Sequence, residues 1–199
     1  MGHSSFVVKG SKVVYFDPYQ IPDGAPPADI ILITHSHYDH CDKEAVEKII
    51  KAETEIIASA DCARELDKEV IAIEPNGYKV VQGLTIKTIP AYNIDKDFHP
   101  KAKKWVGYIV EVDDTIYYHA GDTDLIPEME KVKTNVALLP VGGTYTMSKE
   151  EAVAATKKIS AEIVIPMHYG SIVGASSYGD AFVKLAGNKA VALPKTTRF

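Results

Sequence analysis

The chain has 199 residues, 46% of them hydrophobic and 25% charged, with a net charge of −5. That length suits one domain with a sizeable core, read here as residues 1–199 throughout. The acidic balance leaves no basic surplus for gripping a phosphate backbone, which disfavours a protein that holds long nucleic acid unaided, although Lys101, Lys103 and Lys104 form a local basic patch.

The start, "MGHSSFVVKG", has no basic segment followed by an apolar run, so no secretory leader is expected. "SFVVKG" and "SKVVYFDPY" read as two short strands joined by a turn at Gly10 and Ser11. The Pro- and Gly-rich "IPDGAPPAD" is a loop. "DIILIT" is a continuous apolar run without alternation, the pattern of a strand buried on both faces. Asp42 is placed to cap a helix through "KEAVEKIIKA", with apolar residues at 45, 46, 49 and 50. "EIIAS" reads as a strand and "ADCARELDKE" as a short helix.

From 70 to 92 the pattern is strand-like: "VIAIEP", "YKVV" and "LTIKTIPAY", with Asn76-Gly77 as a hairpin signal. Residues 93–104 hold no apolar periodicity and read as a loop. "WVGYIVEV" and "TIYYHAGD" form a hairpin around Asp113-Asp114, and "NVALLPV" is a further buried strand. Ser148 with Glu151 three residues on predicts a capped helix over "SKEEAVAATKKI". "EIVIPMHYG" is a strand entering a loop, and a helix near 178–186 and a strand near 189–193 close the chain. This many strands with helices between some of them fits two sheets with helices outside. No stretch approaches the ~20 apolar residues of a membrane helix, so a cytoplasmic protein without a membrane partner is expected. In that setting Cys41 and Cys62 read as free thiols.

The chemistry concentrates directly after "DIILIT". His35, His37, Asp39 and His40 fall within six positions on a loop. Imidazole and carboxylate are ligands of borderline divalent metals. Packing four such groups together is unfavourable unless a cation compensates. His35 and His37, two apart in an extended segment, point the same way, while Asp39 and His40 diverge to a neighbouring position. The spacing suits two ligands for each of two metals. Further ligands belong at other strand ends. "YYHAGDT" offers Asp122 past a glycine, and "VIPMHYG" offers His168. Alone, Asp122 would read as a turn residue. Beside the cluster it reads as a ligand bridging both ions.

His35-x-His37-x-Asp39-His40, then Gly121-Asp122, then His168, resembles the motif order of the metallo-β-lactamase superfamily. "GHSSF", "FDPY", "YHAGDTD", "LLPVGGTYTM" and "IPMHYG" are similar to its small single-domain branch of metal-dependent hydrolases, the group of ascorbate-6-phosphate lactonase-like proteins. The resemblance implies an α+β fold, a four-layer αβ/βα sandwich with the site at one edge between the sheets. It implies that His35 and His37 bind a first metal and Asp39, His40 and His168 a second, with Asp122 bridging. Two divalent ions are implied, zinc first, with manganese or iron as alternatives. The family usually supplies a third histidine to the first metal where this chain has Asn93, a weak zinc ligand. His99, six residues on, is the candidate to reach back.

The expected mechanism is metal-assisted hydrolysis of a small ester, lactone or phosphodiester, in which a metal-bound hydroxide attacks. Asp39 and His40 are the expected catalytic residues. The expected partner is a small-molecule substrate. Competing expectations are a metal-dependent sensor without turnover, motivated by Asn93, and a nucleic-acid phosphodiesterase, disfavoured by the charge. His119 is expected to support the site from behind or lie in the core. His3, Tyr145 and Tyr169 are weaker candidates near the site, and Cys41 is expected to be a buried thiol.

Overall fold

Two mixed β-sheets lie face to face in the computed structural model, which describes residues 1–199. The first sheet runs in the order β1 (Phe6–Lys9), β2 (Val13–Phe16), β3 (Ile30–Ile33), β4 (Glu55–Ala58) and β5 (Ile71–Ala72). The second contains β6 (Tyr78–Val81), β7 (Leu84–Pro90), β8 (Val106–Val112), β9 (Thr115–His119), β10 (Lys133–Pro140) and β11 (Ser160–Met167), in the spatial order β11-β10-β9-β8-β7-β6. Helices α1 (Lys43–Ile49) and α2 (Cys62–Leu66) cover the outer face of the first sheet. Helices α3 (Lys149–Lys158) and α4 (Tyr178–Ala186) cover that of the second. This is the expected α+β four-layer sandwich.

The side-chain period of two explains why "IILI" is wholly apolar. Ile31 and Ile33 pack on α1 and α2, while Ile30 and Leu32 face the other sheet and meet Ile86, Tyr108 and Val110. Both faces of β3 are therefore dry. Tyr108 carries a polar atom into this inter-sheet layer, and its hydroxyl lies 2.9 Å from Ile33 O and 3.0 Å from Ile57 O.

Local signals fixed several boundaries. Asp42 accepts from the backbone N–H groups of Glu44 and Ala45 at the start of α1. Ser148 and Glu151 form both halves of a capping box on α3. Asp113 and Asp114, both at positive φ, turn β8 into β9. Two expectations need correction. Asn76-Gly77 does not close a hairpin, because β5 and β6 belong to different sheets, and the turn carries the chain from one to the other. The hairpin lies at Gln82-Gly83, both at positive φ, joining β6 to β7. The strand near 189–193 is a single bridge, Val164 to Ala190, beside the edge strand β11.

Strand direction gathers one set of chain segments at one rim. β2, β3 and β4 are mutually parallel, as are β9, β10 and β11. The segments after β2, β3, β9 and β11 carry Asp17, the His35–His40 cluster, Asp122 and His168 to that rim. β1 and β8 run antiparallel to their neighbours, so the residues preceding them, His3 and Trp105, arrive at the same rim from the opposite direction.

Candidate metal centre

Every predicted ligand is brought together. The groups His35–His37–His99, His35–His40–Asp122 and His3–Asp39–His40–His168 each place one potential ligand atom per residue within 4.8 Å of the others. His35 Nε2 lies 3.1 Å from His37 Nδ1. The Asp122 carboxylate is the hub. Its Oδ2 lies 2.9 Å from His168 Nε2, 3.1 Å from His99 Nε2 and 3.9 Å from His35 Nε2, and its Oδ1 lies 3.3 Å from His40 Nε2. Gly121, at φ +64°, allows this approach, since a Cβ there would meet Val106 O at 3.0 Å. Gly142 does the same for His168, whose carbonyl oxygen a Cβ would strike at 2.4 Å.

The far sides of the His35, His40 and His99 rings are anchored by oxygens. Asp17 accepts from the Thr34 N–H and hydroxyl, at 2.8 Å each, and from His40 Nδ1–H at 2.7 Å. With its proton spent on Asp17, the Thr34 hydroxyl accepts from His35 Nδ1–H at 2.8 Å. His99 Nδ1 faces only acceptors, Asn93 Oδ1 at 3.1 Å and Tyr145 O at 3.2 Å. These partners fix the tautomers, so the Nε2 lone pairs of His35, His40 and His99 point inward. His40 Nε2, His99 Nε2 and Asp122 Oδ1 are buried and have no hydrogen-bond partner. Converging lone pairs without donors are what divalent cations satisfy, and this donor set fits such ions.

The electrostatics agree. Burial holds His35 well below the usual imidazole range and also lowers His37. Burial would also lower His40, but the carboxylates of Asp122 and Asp17 outweigh it and hold its pKa well above the ordinary value. Burial would raise Asp122, yet His168 and His40 hold it well below the carboxylate range.

Asn93 does not join the cluster of imidazoles. It braces the loop that delivers His99, donating to Asp124 Oδ1 at 3.1 Å and Tyr145 O at 2.9 Å, while its Oδ1 accepts from the His99 N–H at 2.9 Å. Asp124 adds bonds from the Ile94 N–H at 2.9 Å and Lys96 at 2.5 Å. His119 lies behind the site as expected: Nε2–H donates to Ser4 O at 2.8 Å, and Nδ1 accepts from the Gly121 N–H. Cys41 and Cys62 are buried free thiols, and Cys62 beside it, together with burial, pushes the Cys41 thiol up. Tyr145 lines the cleft over the site, whereas Tyr169 faces a separate cavity and its hydroxyl packs against Gly179.

Sequence reasoning passed over the bracing roles of Asp17, Asp124 and Trp105. The Trp105 ring packs on His35, His37 and His99, with centroids 4.9, 4.8 and 5.7 Å away, and its indole N–H donates to Asp61 at 2.9 Å. "FDPY" and the second aspartate of "GDTD" were visible signals for the first two.

A cleft of about 240 Å³ opens over the cluster. Tyr38, Phe98, Tyr145 and Ile172 form its walls, and no lysine or arginine lines it. Phe98 packs edge-on against Tyr145, with ring centroids 4.6 Å apart.

Comparison with known proteins points in one direction. A family model described as a β-lactamase superfamily domain matches residues 1–168. A UPF0173 metal-dependent hydrolase of Pyrococcus horikoshii is 33% identical over 208 aligned positions, covering 96% of this chain and 92% of that protein. A crystal structure from Parabacteroides distasonis, provisionally described as a metal-dependent hydrolase, superposes with a TM-score of 0.84 at 32% identity, covering 96% of this chain and 89% of the other. A metallo hydrolase from Ignicoccus hospitalis gives 0.75 at 28% identity, covering 96% and 92%.

Proposed function

The chain belongs to the metallo-β-lactamase superfamily, and on that premise we propose that it is a metal-dependent hydrolase of small esters or lactones with an uncharged, apolar body. The observation that carries the reading is the Asp122 carboxylate standing among imidazoles of both groups, with His35, His99 and His168 against Oδ2 and His40 against Oδ1. In this reading His35, His37 and His99 hold one divalent ion, Asp39, His40 and His168 hold a second, and Asp122 serves both. Zinc suits the imidazole-rich set, with manganese or iron as alternatives. Bound there, such ions supply a nucleophilic water near neutral pH and polarise the oxygen of the scissile group.

The protein's own residues do the positioning. Asp17 and Thr34 orient His40 and His35, and Asn93 orients His99. Asp39 and His40, beneath the cleft, are the residues assigned to catalysis. Asp39, which lines the cleft floor, would accept the proton released by a bound water through a lone pair not given to the ion. The aromatic and aliphatic walls would contact the body of the substrate.

The cleft supports the choice of substrate. With no cation in its lining, it has nothing to hold a second anionic group such as a sugar phosphate. Lys96, in the same loop as Phe98, is already paired with Asp124. The same lack, with the net charge of −5, speaks against a nucleic-acid phosphodiesterase. The sensor reading drew on Asn93, and it loses support with His99 Nε2 placed beside His35 and His37.

The test is turnover by protein loaded with Zn²⁺ or Mn²⁺ on p-nitrophenyl acetate, a phenyl-substituted lactone and bis(p-nitrophenyl) phosphate. Ester or lactone hydrolysis that disappears in Asp122→Asn is the expected result. Metal uptake without turnover of any of the three would overturn the hydrolase in favour of a sensor. Turnover of the phosphodiester alone would overturn the substrate class.

A further inference from the structure

β1 runs antiparallel to β2, so the residues before Phe6 lie at the rim where β2 ends. His3 stands in that lead-in. Its side chain is buried, with its ring centroid 3.9 Å from that of His168 and 5.8 Å from that of His40. Its Nε2 is 3.1 Å from Asp39 Oδ2, within hydrogen-bond distance but out of line for a hydrogen bond, and neither ring nitrogen has a hydrogen-bond partner.

The backbone is arranged to hold the ring there. His3 has φ +62° and His168 φ +59°, a region that residues with a Cβ rarely occupy. The His168 N–H donates to His3 O at 3.2 Å, and His119 fixes the next carbonyl, Ser4 O. Strained residues persist where the surroundings over-determine them, and here both lie beside the candidate ligands.

Resting on the reading that Asp39, His40 and His168 hold an ion, we infer that His3 is a positioning residue: its imidazole N–H steadies Asp39 Oδ2, the oxygen that also faces His40 Nε2 at 3.7 Å, and so keeps that carboxylate beside the ion. His3 is not needed as an additional ligand. Asp39, His40, His168 and Asp122 already supply four donors, which with one water makes the five positions that a catalytic zinc-type site expands to. Ligating carboxylates are themselves usually hydrogen-bonded on their outer side, and loss of such partners typically lowers metal affinity by roughly 10–100-fold.

Three substitutions separate the possibilities. His3→Gln keeps an N–H donor near Asp39 but removes the imidazole, His3→Phe keeps the packing, and His3→Ala removes both. Each protein is stripped with chelator, dialysed against graded Zn²⁺ and assayed for bound metal by elemental analysis, with melting temperature measured in chelator. The expected result is two ions in wild type, near-wild-type uptake in His3→Gln, and at least about tenfold weaker binding of one ion in His3→Phe and His3→Ala. Full uptake by His3→Phe would reduce His3 to packing. Loss in His3→Gln equal to that in His3→Ala would make the ring itself a ligand. Variants that already melt well below wild type in chelator would make His3 a folding residue. Each of these overturns the inference and leaves the hydrolase reading intact. Fewer than two ions in wild type would remove the two-ion site on which both rest.

Discussion

His119 is the buried histidine whose titration bears on folding without a ligand role. Burial lowers its pKa, and it stacks on Phe16 with centroids 5.3 Å apart while donating to Ser4 O. In the unfolded chain its pKa returns to ~6.5. The unfolded state therefore binds the extra proton, so this contribution is complete above ~6.5 and is lost as pH falls from there toward the lowered folded value. The stability of metal-free protein should thus drop between pH 7 and 5. His119→Gln, which keeps a donor for Ser4 O, should flatten the slope by up to about 1.4 kcal/mol per pH unit. Denaturant melts across that range in chelator check it, and an unchanged slope would refute it. The ligand candidates at 35, 37, 40, 122 and 168 were legible in the sequence because titratable groups that dense on one loop, with an aspartate and a histidine at later strand ends, have no inexpensive structural explanation. The brace formed by Asn93 was not legible. An amide side chain can face a metal or backbone groups, and only the positions of Tyr145 O and Asp124 decide which.

At the scale of elements, the loop from 93 to 99 is held by side chains. Removing the Asn93 amide strips partners from Tyr145 O and the His99 N–H. Asn93→Ala should destabilise the fold by roughly 1–3 kcal/mol. It should also weaken the three-histidine site and leave the Asp39–His40–His168 site near wild type. Stepwise metal titration would show this, and equal loss at both sites would contradict it. On α3, Ser148→Ala should cost about 1 kcal/mol, measured by thermal or urea unfolding, because it opens the capping box. That cap, like the one at Asp42, was readable because its donor and acceptor lie three residues apart in the chain. Pairing between strands has no such local signature. Asn76-Gly77 carries the right turn chemistry, yet it links strands in different sheets. Residues 189–193 carry apolar residues suited to a strand, but they make only a single bridge to the edge strand β11 before Pro194.

For the molecule as a whole, the candidate centre draws His35, His37, Asp39 and His40 from the rim of one sheet and His99, Asp122 and His168 from that of the other. Ions held there would bind only the folded arrangement. At ~100 times the dissociation constant, one such ion adds about 2.7 kcal/mol, so its removal should lower the melting temperature by roughly 5–10 °C and chelation of both by about twice that. Calorimetry with and without chelator tests this, and no shift would argue against ions that bridge the sheets. Another tie between the sheets is the Tyr108 hydroxyl beneath Ile33 O and Ile57 O, and Tyr108→Phe should cost roughly 1–3 kcal/mol without altering metal uptake. The single tryptophan of the chain has a practical consequence of its own. Its ring touches three imidazoles, so filling them with a quenching ion such as Co²⁺ should dim the intrinsic emission of the protein, and the ion near His168, farther from the ring, should dim it less. Light from one side chain can then report which half of the centre fills first.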